Sequence, residues 1–158
     1  MKDIIRIKSL LTTLFMDQYF AVLATRSKDQ LHTSLVAFAA SEDLKKLFLC
    51  TPRATRKYSN LTQYSLVSLL VHNSANLAAD IGQSVAVTVT GRATEVAGSG
   101  LEQARALYLA KNPHMAAFAS SPETALIGVD VIRYDVVEHF QNVTILNIHE
   151  DRIVANGD

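Results

Sequence analysis

The first residues of the chain alternate between apolar and polar positions with the period of a helix. Five apolar side chains recur three or four residues apart, at Ile4, Ile7, Leu11, Leu14 and Phe15. This spacing places them on one face and predicts an amphipathic α-helix over residues 3–17. The charges among these positions favour a packed helix over an export signal. We therefore expect this helix to cover part of the core.

From residue 19 onward the pattern changes to short apolar runs, which are typical of β-strands. Seven such runs are separated by turn-forming residues, and they span residues 19–25, 31–40, 44–51, 66–72, 84–96, 128–140 and 143–149. In the fifth run Val85, Val87 and Val89 alternate with smaller or polar residues, which predicts one buried face. Gly91 then interrupts the alternation, as a β-bulge or a close backbone approach would. The pattern predicts an antiparallel barrel or sandwich.

A further helix is predicted late in the chain, over residues 101–111. Ser99 and Glu102 have the spacing of a capping box, in which each side chain satisfies a free backbone N–H at the helix start. Arg105 and Lys111 are expected on the solvent-facing side of this helix. The strands and helices together predict a fold of mainly β character (α+β).

Composition narrows the class of protein. The chain has 158 residues, with 15 Lys and Arg against 15 Asp and Glu, and neither repeats nor a long linker divide it. We therefore predict one domain over residues 1–158. A net charge of zero provides no general attraction for nucleic acid. The single Cys50 cannot form an internal disulfide, and the longest apolar runs are shorter than the ~18 residues of a membrane-spanning helix. We expect a cytoplasmic protein without membrane or nucleic-acid partners.

The densest positive charge follows the third predicted strand, in a segment that we call the basic turn. It contains Thr51, Pro52, Arg53, Ala54, Thr55, Arg56 and Lys57, and it leads into a helix predicted over residues 54–64. Free N–H groups at the helix start, two hydroxyls and up to three cations would converge there, which is the chemistry that holds a phosphate monoester. A solvent-exposed helix face is the alternative, because Lys and Arg are normally exposed. The turn lacks the Gly-rich loop of nucleoside triphosphate enzymes.

Several segments are informative through their order and spacing. They are FAVLAT (20–25), HTSLVAF (32–38), LFLCT (47–51), TRK (55–57) and VTVTGRA (87–93), followed by a late strand over 131–140. In this order they resemble the pyridoxamine 5'-phosphate oxidase-related family of FMN-binding split barrels. The resemblance covers most of the chain. It implies a six-stranded antiparallel split β-barrel with flanking helices, and a homodimer with one FMN at each end of the subunit interface.

The resemblance also assigns cofactor-binding roles to seven residues: Ser34, Leu35, Val36, Thr51, Thr55, Arg56 and Lys57. Arg56 and Lys57 would bind the FMN phosphate with help from the two threonine hydroxyls. The backbone around Leu35 would line the isoalloxazine ring, because a strand edge can donate to and accept from its polar rim. Residues 76–83 of the partner subunit would complete the pocket.

Two departures from the family pattern affect the expected function. The turn at residues 27–31 lacks the usual Gly and Pro, and the chain has neither the Arg-rich final segment nor any Trp. We therefore expect an FMN-binding protein, a flavin-dependent oxidoreductase acting on an unidentified small-molecule substrate or electron donor, rather than a true pyridoxamine phosphate oxidase. The alternatives are a non-catalytic flavin-binding or sensor module, or a split barrel that binds haem or a deazaflavin.

No side chain is identified as a catalytic acid, base or nucleophile. His32 precedes the ring-lining segment and would be near the ring, but a strand histidine without a special role is the simpler interpretation. The five histidines do not fall at paired spacing for a metal, so no metal site is predicted. Cys50 lies in an apolar run and is expected to pack as a small hydrophobic residue.

Overall fold

The computed structural model describes residues 1–155 of the chain. Helices are α1 (Lys2–Asp17), α2 (Arg56–Gln63), α3 (Asp80–Gln83), α4 (Leu101–Lys111) and α5 (Ala116–Ser120). Strands are β1 (Phe20–Ser27), β2 (Gln30–Ala40), β3 (Lys46–Pro52), β4 (Leu66–His72), β5 (Ala86–Glu95), β6 (Thr124–Glu138), β7 (Asn142–Asn147) and β8 (Arg152–Ala155). The seven predicted strands and the three predicted helices are present, with ends that shift by a few residues.

A closed barrel is formed by six of these strands. Their order is β3-β2-β1-β4-β5-β6, and an additional antiparallel pairing between β3 and β6 closes the ring. The ring depends on the length of β6, whose residues 124–130 pair with β3 and whose residues 127–137 pair with β5. Strands β7 and β8 extend the sheet beyond β6. The predicted six-stranded antiparallel split barrel with flanking helices is confirmed.

The amphipathic first helix packs on the barrel as predicted. Ile7, Leu11, Leu14 and Phe15 are buried in the same apolar cluster as the inward-facing strand residues. The Phe15 ring meets the Phe38 ring edge to face, with 5.6 Å between their centres. Burial of these side chains removes apolar surface from water and holds α1 over the barrel. None of the helices in residues 1–155 is long and apolar enough to cross a membrane.

Gly91 marks a bulge where β5 turns along the barrel. The register between β5 and β6 shifts between Thr90 and Gly91, which confirms the predicted irregularity. A Cβ atom at Gly91 would lie 2.6 Å from the Asp130 carbonyl oxygen and 2.6 Å from Val129 Cγ1. Only glycine permits so close an approach of the two strands.

The capping-box prediction for α4 is wrong. Ser99 lies inside a short 3₁₀ turn, Gly98–Gly100, and the helix starts after Gly100 without a side-chain cap. Glu102 instead pairs with Arg105 one turn further on. The sequence pattern also missed α3, α5 and β8, which are only four or five residues long.

A second, smaller core lies outside the barrel wall. Phe48 and Cys50 of β3 face outward and pack against Ala104 and Tyr108 of α4. Cys50 is 7% exposed, which confirms its predicted role as a small buried residue. Burial raises the pKa of its thiol to about 11. The thiol is therefore a poor nucleophile at neutral pH.

Candidate functional site

The barrel is split between β2 and β3. Strand β2 pairs with β1 from Gln30 to Ala37, but it pairs with β3 only from Phe38 to Ala40. All of β3, from Lys46 to Pro52, pairs with β6, but only its residues 47–49 also pair with β2. Residues 30–37 of β2 therefore have one free edge within the described part of the chain. Its N–H and C=O groups that point away from β1 are available to a ligand.

The three predicted ring-lining residues lie on this free edge. Ser34 and Val36 face the barrel interior beside Leu23 and Ala21 of β1, and Val36 is buried. Leu35 faces outward and is 68% exposed. The backbone of this segment, together with the Leu35 side chain, is the part that a flat ligand could reach.

The basic turn is shaped by its two threonines. Thr51 is fully buried at the end of β3, and its Oγ1 lies 2.9 Å from Thr55 Oγ1. Thr55 Oγ1 donates to the Pro52 carbonyl oxygen at 2.9 Å and accepts from the Tyr58 N–H at 3.3 Å. Thr55 is thus the N-cap of α2. Both hydroxyls hold the chain in the conformation that starts the helix.

Arg56 and Lys57 occupy the first two positions of α2. Arg56 is exposed and Lys57 is half-buried. Neither side chain forms an ion pair or a hydrogen bond with another group in residues 1–155. The N–H groups at these helix positions also lack intrahelical partners, and the helix dipole favours negative charge there. The arrangement fits a phosphate monoester.

The third cation of the turn is committed elsewhere. Arg53 forms an ion pair with Glu95 of β5 and donates to the Pro122 carbonyl oxygen at 2.7 Å. Tyr58 donates to the other oxygen of Glu95 at 3.1 Å. The hydrogen bond with Glu95 raises the pKa of Arg53. Arg53 therefore ties the turn to the barrel, so two of the three cations that we expected to converge are free for an anion.

Helix α2 is fixed across one end of the barrel. Asn60 Nδ2 donates to Thr25 Oγ1 on β1 at 3.1 Å, and both side chains are buried. The Arg26 guanidinium lies 4.2 Å from the centre of the Tyr64 ring at the end of the helix. Since α2 begins at the end of β3 and is anchored on β1, its basic start and the free edge of β2 belong to the same end of the split.

An exposed apolar face adjoins the free edge. Leu35, Val22 and Leu70 are cross-strand neighbours on β2, β1 and β4. Phe20 extends this face along β1, and Leu31 extends it along β2. Phe20, Leu31, Leu35 and Leu70 are 57%, 83%, 68% and 39% exposed. A continuous apolar sheet face of this kind is typical of an interaction surface.

In residues 1–155 no group of three or more His, Cys, Asp or Glu side chains could hold a metal ion. His32 is half-buried on β2, opposite Thr25, while the other four histidines are exposed. Residues 76–83 form an exposed loop with the short α3, and their expected contact with a partner subunit stays a prediction.

Comparison with protein families decides the family. A family model described as pyridoxamine 5'-phosphate oxidase matches residues 7–138. The chain belongs to this family. The match runs from α1 to the end of β6, so it includes the whole barrel, the basic turn and the free edge of β2. No curated protein matches the sequence.

Solved structures with the same fold carry different ligands in their names. A haem-binding protein from Mycobacterium smegmatis superposes with a TM-score of 0.78 at 18% identity, covering 87% of this chain and 56% of that one. An FAD-binding protein from Mesorhizobium loti has a TM-score of 0.65 at 15% identity, with 81% and 90% covered. A Clostridium acetobutylicum protein related to general stress protein 26, of the pyridoxinephosphate oxidase family, has a TM-score of 0.71 at 12% identity, with 93% and 98% covered.

These structural similarities establish the fold of this family member and not its ligand, because the identities are low. The chain also spans little more than half the length of the Mycobacterium protein. Which ligand the split holds must therefore be argued from its own residues.

Proposed function

We propose that this family member binds FMN in the split between β2 and β3 and acts, as a homodimer, as a flavin-dependent oxidoreductase on a small molecule. The observation that carries the proposal is the combination of two unpaired cations at the start of α2 with a free strand edge at the same end of the barrel. The first suits a phosphate and the second suits a planar ring with a polar rim.

The proposal that the basic turn binds the FMN phosphate rests on charge and burial. Arg56 would offer its planar fork and Lys57 a point charge, while the N–H groups of the helix start donate to the remaining oxygens. Thr51 and Thr55 contribute by holding the turn, since their hydroxyls already bond to each other and to Pro52. Two cations suit the charge of a single phosphate monoester.

The proposal of a homodimer rests on the apolar face beside the free edge. Leu35 would remain largely, and Leu70 partly, in water unless a second copy covers them. A monomer seldom exposes a contiguous apolar face of this kind without a use for it. A partner packed there would also close the outer side of the flavin site and exclude water from it, with residues 76–83 of that partner as the candidate contribution.

The chain's own residues would bind and orient the cofactor, and the cofactor would supply the hydride or electron chemistry. The backbone of residues 34–36 would fix the ring plane, and the basic turn would fix the phosphate end. No Trp is available to grip a pyridoxamine phosphate substrate in the way expected of the family's name-giving enzyme. We therefore propose a different small-molecule substrate.

The visible spectrum of purified protein, before and after addition of FMN, tests the proposal. Flavin absorption bands that co-purify, or that appear with stoichiometric binding, are expected. A colourless protein that rejects FMN would overturn it. Bleaching of the bound flavin by NADH or NADPH would support an oxidoreductase, whereas a flavin that no donor reduces would indicate a binding or sensor module.

Haem is the second candidate ligand, favoured by the haem-binding structural neighbour from Mycobacterium smegmatis. A haem site needs an axial ligand, and His32 is the histidine nearest to the split. A Soret band in the same spectrum, lost in His32→Ala, would favour haem over FMN. A deazaflavin would be distinguished by its different absorption maximum. It would also need a larger basic pocket than Arg56 and Lys57 provide.

A further inference from the structure

The sequence pattern predicted that Lys111, at the end of α4, lies on the solvent-facing side of the helix. This prediction is wrong. Its side chain is half-buried, and Nζ donates to the Gln18 carbonyl oxygen at 2.6 Å. Nζ also lies 3.7 Å from the centre of the Phe38 ring. No carboxylate in residues 1–155 pairs with it. An ammonium has three N–H groups. Some of the hydrogen-bond donors of this partly desolvated cation are therefore unused. Burial lowers its pKa to about 8.

The next residue leaves an acceptor without a partner. Asn112 is fully buried, and its Nδ2 donates to the carbonyl oxygens of Phe38 and Tyr108, each at 3.1 Å. These two bonds fix the amide orientation. Asn112 Oδ1 is then the buried side-chain atom without a hydrogen-bond partner in the described chain. This oxygen has almost no accessible surface, so a molecule that binds from solvent does not reach it, and the two bonds of Nδ2 serve to fix residue 112 against β2 and α4.

A cavity of about 300 Å³ brings these two residues together with aromatic walls. It is lined by Tyr19, Phe20 and Ala37 on one side and by residues 111–114 on the other. Asn112 is among the lining residues, but its side chain has no exposed surface, so Lys111 is the polar side chain considered for a ligand. Ala37 pairs with Phe20 and is the last residue of the free edge of β2. The cavity therefore adjoins the place proposed for the flavin ring.

We propose that this cavity binds a small aromatic carboxylate. The carboxylate pairs with Lys111 Nζ, and the ring packs on Tyr19 and Phe20. A single cation without a carboxylate partner suits a ligand with one negative charge. Glu42 lines a second cavity that also contains Lys111, and its own negative charge disfavours a ligand of higher negative charge. That this ligand is the molecule that meets the flavin rests on the proposed function; its binding does not.

Titration of flavin-free protein at pH 6.5 tests the site. The probe is benzoate, followed by calorimetry and by amide shifts in ¹H–¹⁵N spectra. We expect shifts at Tyr19, Phe20, Lys111, Asn112 and His114, and at least tenfold weaker binding of the neutral isostere benzamide. Equal affinity for the amide, or shifts confined to another part of the chain, would overturn the proposal.

Variants of Lys111 separate charge from shape. Lys111→Met should weaken binding at least tenfold, while Lys111→Arg retains most of it and the exposed Lys28→Met changes nothing. Unchanged binding in Lys111→Met contradicts the proposal, and if that variant does not fold, the carboxylate and amide comparison on the natural chain still decides.

The pH dependence of benzoate binding gives an independent readout. Affinity should be nearly constant around pH 6.5 and should fall as the pH rises through about 8, where the amine loses its proton. The other ionisable groups around Lys111 are Tyr19 and His114 in the same cavity, Glu42 on the β2–β3 turn and Asp17 at the end of α1, all of them exposed. The fall should therefore be absent in Lys111→Met, and a fall that persists there would assign the titration to one of those groups and overturn the role of Lys111.

The same titration on FMN-loaded protein separates the two proposals. If FMN binds and benzoate causes no shifts at the cavity, this inference fails and the flavin proposal stands. If FMN does not bind while the cavity shifts appear, the flavin proposal fails and the carboxylate site stands.

Discussion

Removing the two free cations of the basic turn should weaken FMN binding more than any other change on this surface. Arg56 and Lys57 have no partner in the described chain, so each would gain its full interaction when a phosphate arrives. A hydrogen bond to a charged group contributes about 1.5–3 kcal/mol, and the lower end applies here because Arg56 is exposed and Lys57 half-buried. Each single alanine variant should therefore lose about tenfold in affinity.

The double variant Arg56→Ala/Lys57→Ala should lose about 100-fold, since two contacts of about tenfold each are removed. Quenching of FMN fluorescence on titration with protein measures the dissociation constant. The urea midpoint should not change, because neither side chain holds the fold together.

Arg53→Gln is the matched control from the same turn. Arg53 already bonds to Glu95 and to the Pro122 carbonyl oxygen, so it should affect FMN affinity by less than about threefold. A double variant that binds FMN as tightly as the natural chain, or an Arg53→Gln effect as large as that of Arg56→Ala, would refute the placement of the phosphate.

Three further predictions concern the fold, the dimer and the thiol. Gly91→Ala should lower the free energy of unfolding in urea by about 1–3 kcal/mol, because its Cβ would meet the Asp130 carbonyl at 2.6 Å, while Gly82→Ala, with open space around it, should not. Leu35→Glu should convert a dimer to a monomer in sedimentation and weaken FMN binding, while the equally exposed Ile5→Glu on α1 stays dimeric; a Leu35→Glu dimer would contradict the interface. Cys50 should resist a thiol reagent such as DTNB at pH 8 until the chain is denatured, because a pKa of about 11 leaves about one thiolate in a thousand; rapid reaction of the native protein would contradict its burial.

Local pattern determined most of the secondary structure of this protein. The helical spacing of Ile7, Leu11 and Leu14 has one stable outcome, a helix with its apolar face on a core. The alternation at Val87 and Val89 likewise leaves one face of β5 buried, and the break at Gly91 is a real bulge. These features were predictable because each depends on residues a few positions apart.

The start of α4 shows where local pattern misleads. Ser99 and Glu102 have capping-box spacing, yet the preceding 3₁₀ turn moves the helix start to Gly100 and Glu102 bonds to Arg105 instead. Competing local bonds of similar strength decide such a boundary, and spacing alone does not rank them.

The composition of the site was predictable, and its arrangement was not. The threonines and cations of the basic turn are adjacent in sequence, so their chemistry could be recognised there. That Arg53 leaves this group depends on Glu95, a residue 42 positions away in the chain. Lys111 is half-buried because it lies beside Gln18 and Phe38. Only the packing of α1, β2 and α4 brings these residues together.

The sequence by itself therefore determined the longer helices and strands, the mainly β class and the presence of one compact basic segment. Tertiary structure alone decided that β6 closes the barrel on β3, that residues 30–37 of β2 keep a free edge, and which cations stay unpaired. The physical reason is range: hydrophobic period and helix capping act over a few residues, whereas strand closure and ion pairing depend on groups that meet only after the chain has folded.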